Sequence, residues 1–118
     1  LLPDQAKALG PLDPQTLKTR AGIAYYTSET GHSQEALHLY QKLLPDQTKA
    51  LDPLNYNTLA IRVNIASLTE ITGDPDGALC LLRELLPDQV AAFGEDSHLV
   101  ARTRSAIERL EGELEGGG

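Results

Sequence analysis

Apolar residues recur three and four apart along most of the chain, as in Leu17, Ala21 and Ala24 with the Tyr26-Thr27 pair, then in Ala36, Leu37, Tyr40, Leu43 and Leu44. That spacing marks one face of a helix, whereas a half-buried strand needs strict alternation. Asp13-Pro14 supplies an N-cap followed by Pro at the first helical position, and Gly31 supplies a residue able to end a helix in the left-handed conformation. Together they bound a helix over 14–30. Ser33 is the expected cap of the next helix, as Asp74-Pro75 is later in the chain, and that helix runs to Leu51, where Asp52-Pro53 stops it. The full reading is a short leading helix over 1–9, helices over 14–30, 33–51, 56–72 and 75–93, and a last one near 97–112. Such short links force neighbouring helices to run antiparallel.

The helices repeat. LLPDQ stands at Leu1 to Gln5, Leu43 to Gln47 and Leu85 to Gln89, a spacing of 42 residues each time. Residues 43–84 laid under 1–42 are identical at about half the positions. Leu17, Arg20, Ile23, Ala24, Thr27 and Gly31 return as Leu59, Arg62, Ile65, Ala66, Thr69 and Gly73, and Ala36-Leu37 returns as Ala78-Leu79. The chain therefore reads as a single domain, 1–118, of units 1–42 and 43–84, a partial capping unit 85–115 and a frayed tail 116–118. The third unit keeps Leu85, Pro87, Arg104 and Ile107 but places Glu108 where the others have Ala24 and Ala66, as a polar terminal cap requires. Stacked helix pairs of one sequence build a solenoid held by nearest-neighbour contacts.

Pro45 has no N–H to offer the Gln41 carbonyl, so it either bends the second helix or starts a new one. The bend is the preferred reading, with the extra turns wrapping the next unit; the split remains the alternative.

Composition narrows the function. The chain has 118 residues, one Phe, no Trp and no Met, and few β-branched runs, which favours an all-α domain. A net charge of −7 opposes phosphate backbones and anionic lipid, so neither nucleic acid nor a membrane is an expected partner. Its longest strictly apolar run, Ala78 to Leu82, is far short of the roughly 20 residues that span a bilayer. The single Cys80 can form no internal disulfide and is read as a small buried hydrophobe; the expected compartment is the cytoplasm. The chain opens in mid-pattern at Leu1, as a fragment of a longer protein would.

The order Ile23-Ala24, Thr27, Gly31, Ala36 and Tyr40, matched by Ile65-Ala66, Thr69, Gly73, Ala78 and Leu82, resembles the tetratricopeptide repeat, in which small residues let the two helices of a unit pack closely. The common form of that repeat has about 34 residues, and the longer unit here is most similar to the kinesin-light-chain type, also seen in large bacterial signalling proteins. HEAT-type repeats share only the helical pairing. The resemblance implies a right-handed superhelical solenoid whose concave groove, lined by the first helix of each unit, receives a peptide or a partner protein. In members that grip a peptide carboxylate, polar residues sit on successive first helices. Asn64 and Arg102 stand at two of those places, while Ala21, Tyr25 and Ala106 occupy the others, so a full carboxylate clamp is not carried over.

Arg20, Arg62 and Arg104 recur at the repeat spacing and would form a line of guanidinium groups able to hold acidic segments, unless each pairs with a carboxylate of its own chain. The latter is favoured, given seventeen acidic side chains. Tyr25, Asn64 and Ser67 are the further groove residues, with Tyr26 assigned to the core. His32, His38 and His98 share no cleft with a nucleophile and are read as surface or capping residues. The acidic stretches Glu70, Asp74, Asp76 and Glu108 to Glu115 lack calcium-loop spacing. No phosphate loop or dinucleotide fingerprint occurs, and no cofactor or catalysis is expected. The reading is a non-catalytic interaction module for a protein or peptide; self-association, or service as a regulatory arm of a larger signalling protein, is the alternative.

Overall fold

In the computed structural model residue 10 and residues 12–117 are described. Five helices account for their regular structure: α1 (Pro14–Glu29), α2 (Ser33–Ala50), α3 (Tyr56–Ile71), α4 (Pro75–Phe93) and α5 (His98–Gly117). No strand occurs among the described residues. The leading helix expected over 1–9, with Pro3, lies outside them.

The caps follow from local chemistry. The Asp13, Asn55 and Asp74 side chains accept from the N–H of Gln15, Asn57 and Gly77 at 2.8, 2.8 and 2.9 Å. Ser33, however, is the first helical residue and not the cap. Past α1, Gly31 takes φ 87°, the Gly31 N–H bonds the Ser28 carbonyl and the His32 N–H bonds the Thr27 carbonyl. This closing turn leaves His32 at the N-cap, without a side-chain cap bond, in the place Asp74 holds in the next unit. At the other end α5 runs to Gly117, so Gly116 continues the helix in place of a frayed tail. Glu111 paired with Arg83 of α4, and Leu114 packed on the core, hold that last stretch.

Neither proline splits its helix: α2 and α4 run unbroken through Pro45 and Pro87. Both prolines are exposed, as are Gln41 and Arg83, whose carbonyls lose their helical donors. Those carbonyls therefore sit on the solvent side, where water can serve them.

Each helix packs chiefly on its neighbours in sequence, and the core divides accordingly. One cluster joins Leu17 and Ala24 of α1, Ala36, Leu37, Tyr40 and Leu43 of α2, and Ile61, Ile65 and Leu68 of α3. The second joins Leu59 and Ala66 of α3, Ala78, Leu79, Leu82 and Leu85 of α4, and Leu110 of α5. Helix α3 thus serves both clusters from two faces, the arrangement of a helical repeat. The stack is elongated, 51 × 31 × 18 Å, with a radius of gyration of 15.2 Å. A compact domain of this length has a radius of roughly 13.5 Å.

Two core assignments are corrected. Tyr26 is 72% exposed, on a face of α1 that no described helix covers. Cys80 is exposed because successive helical residues turn by about 100°, so a short apolar run cannot lie wholly on the buried side.

Candidate binding groove

LLPDQ builds the wall between the first helices. Leu43 and Leu85 are fully buried, and Gln47 and Gln89 are 4% and 2% exposed one turn on. Between them Asp46 accepts from Arg20 Nη1, and Asp88 from Arg62 Nη1, each at 2.6 Å. The motif thus ties the second helix of a unit to the first by one apolar and one ionic contact.

Along the α1, α3 and α5 side runs a line of clefts with these glutamines in their walls. The first, about 580 Å³, lies between α1 and α3, with Leu17, Ala21, Tyr25, Asn64, Tyr40 and Gln47 among its lining. Two smaller ones, about 240 and 190 Å³, lie between α3 and α5 and share Val63, Gln89, Leu99 and Arg102. These are the same cleft one repeat later: Leu17, Ala21, Gln47 and Leu51 become Leu59, Val63, Gln89 and Phe93. Tyr56 and Phe93 meet there at 5.9 Å between ring centroids, tilted by 59°.

The clefts bring together four of the seven residues singled out from sequence. Tyr25, 58% exposed, and Asn64 line the first; Asn64 and Arg102 the second; Ser67 and Arg102 the third. Asn64 Nδ2 donates to Tyr40 Oη at 3.3 Å. Burial pushes the Tyr40 phenol above its usual range, nearby Tyr25 adds to this, and the Asn64 bond draws it part of the way back. Arg102 is exposed and has no ion-pair partner among the described residues.

Arg20, Arg62 and Arg104 do not line these clefts; they pair with Asp46, Asp88 and Glu95. The pairing favoured over a free cationic ladder is the one present. The carboxylate partners of Arg20 and Arg62 are each 26 residues downstream, on the neighbouring helix.

Sequence reasoning overlooked Lys18, Gln47, Gln89 and Arg109. Gln47 and Gln89 recur in LLPDQ, but so do the exposed Pro45 and Pro87, so recurrence alone did not mark the amides as buried. Arg109, beside the α3–α5 cleft, bonds both Glu70 oxygens at 2.8 and 3.0 Å and Glu113 at 2.9 Å. These bonds hold the Glu70 carboxyl below the usual range despite its slight desolvation, and they keep the guanidinium charged.

Among the described residues no group of three or more His, Cys, Asp and Glu could hold a metal ion, and no helix is long and apolar enough to cross a membrane. No protein-family model matches the chain, and no curated protein matches it.

Proposed function

We propose that this chain is a non-catalytic interaction module of the tetratricopeptide type, a right-handed superhelical stack that takes a protein or peptide segment along α1, α3 and α5. The observation that carries this reading is the cleft repeated at the 42-residue spacing, apolar in its walls and edged by Tyr25, Asn64, Ser67 and Arg102. Aromatic and apolar walls supply contact area, while Asn64 and Arg102 can fix the orientation of a bound main chain. Lys18 and Arg102 place positive charge in the clefts against the overall −7 of the chain, so a segment with acidic side chains at those two points is the better-matched occupant. In this reading Arg20 and Arg62 tie first helices to second helices, Arg104 pairs with Glu95 of the link before its own helix, and the protein works in the cytoplasm, where its one free thiol would stay reduced.

Capture from a lysate of the source cell tests it, comparing the chain with Arg102→Glu and Arg62→Glu at equal helicity by circular dichroism. The expected result is a partner held by the unaltered chain and lost, by about tenfold or more, with Arg102→Glu. Equal capture by Arg102→Glu would place the partner elsewhere. Loss with Arg62→Glu alone would return the function to the arginine line.

A further inference from the structure

Three buried side-chain oxygens of the described residues have no hydrogen-bond partner: Thr16 Oγ1, Thr58 Oγ1 and Gln89 Oε1. The two threonines line none of the clefts described above, whereas Gln89 stands in the wall of both clefts between α3 and α5. Its side chain is 2% exposed, and its wall neighbours Val63 and Leu99 bring no side-chain donor. A buried carboxamide oxygen left without a donor weakens the free chain. The missing donor is therefore to be sought in whatever fills the cleft.

We infer that Gln89 is the hydrogen-bonding residue of the α3–α5 cleft, pairing with the main chain of an extended segment that carries an acidic side chain opposite Arg102. The inference rests on the groove reading above and adds to it the conformation of the occupant and the residue that selects it. Arg102 lines the same two clefts, is exposed and has no ion-pair partner among the described residues. A cationic donor from the occupant is repelled there, while a carboxylate is drawn in. The main-chain N–H remains, the donor that every residue except proline carries. Within a helix that N–H is already bonded to the carbonyl four residues back, whereas an extended chain offers the N–H and C=O of one residue along the same edge. A carboxamide matches that pair, with Oε1 accepting the N–H and Nε2 donating to the C=O. Turning about the terminal amide torsion, which is broad, brings the enclosed oxygen to the cleft. Gln47, 4% exposed in the wall of the α1–α3 cleft, holds the same place one repeat earlier, so a segment spanning both clefts meets an amide in each.

The probe is a phage-displayed library of random dodecapeptides selected on the full chain, from which one enriched peptide is labelled with fluorescein and remade with each amide N-methylated in turn. Anisotropy titrations are expected to show binding weakened about tenfold or more by Arg102→Glu and by Gln89→Met, an apolar side chain of similar length. The Gln89→Met chain should melt at the same temperature or higher, because the unpaired oxygen is gone. One N-methylated position should weaken binding to the unaltered chain by about tenfold and have no further effect on Gln89→Met, the non-additivity of a direct contact. A peptide that depends on Arg102 yet binds Gln89→Met undiminished, or an N-methyl scan that is the same for both chains, overturns the inference and leaves the groove reading standing. Earlier melting together with weaker binding in Gln89→Met also overturns it, since the amide would then serve the fold. If the library yields no peptide that depends on Arg102, the groove reading and this inference fall together.

Discussion

Thr16 and Thr58 occupy one position of the repeat, each 1% exposed, and neither hydroxyl finds a hydrogen-bond partner. One unit later the position is Val100, fully buried. The third unit shows that a valine fits the space, and a buried hydroxyl without a partner is a standing loss. Thr58→Val is therefore expected to raise stability by about 1 kcal/mol, read as a higher melting temperature. A lower melting temperature would mean that the Thr58 hydroxyl is hydrogen-bonded after all. Single residues are also where the sequence misled. Tyr26 stands at the phase that is core in Leu68 and Leu110, so the pattern gave its face correctly; it is exposed because no described helix covers that face of α1, which no periodicity encodes. Cys80 misled in a simpler way, through a run of apolar letters that ignores the turn of the helix.

At the scale of the helix, LLPDQ joins a buried leucine, an exposed proline, a paired aspartate and a buried glutamine within two turns. Only the proline lacks a contact that explains it within the helix pair. Because Pro45 is exposed and the bond it removes faces solvent, Pro45→Ala should restore a donor to the Gln41 carbonyl without disturbing Leu43 or Gln47. The expected outcome is a gain of about 1–3 kcal/mol in denaturant unfolding, below or near the intrinsic helix penalty of proline. A loss would mean that a bend at Pro45 positions the turns beyond it against the next unit. Helix existence and most boundaries were legible, since the apolar period and the Asp, Asn, Gly and Pro stops act locally. The Ser33 cap was misread because the preceding closing turn, set by Gly31, decides where α2 begins. The Arg20 and Arg62 pairings were legible only as a choice between partners, because the separation between Arg and Asp spans a whole helical hairpin.

Across the whole molecule, two clusters joined through α3 replace a single central core, and the same elongation that divides the core opens a groove along one side. The repeat made that groove legible at Tyr25, Asn64, Ser67 and Arg102, which all lie on first helices. Its walls were harder to see, because Gln47, Gln89 and Phe93 belong to second helices whose far turns reach under the groove. Occupation of this groove by a protein segment is the central claim, and site-directed photo-crosslinking tests it most directly. A benzophenone attached at Asn64→Cys in a Cys80→Ser background, or at the native exposed Cys80, would be illuminated with the captured partner present. The account predicts a crosslink from position 64 and none from Cys80, which lies outside the clefts. A crosslink from Cys80 with none from position 64 would contradict it.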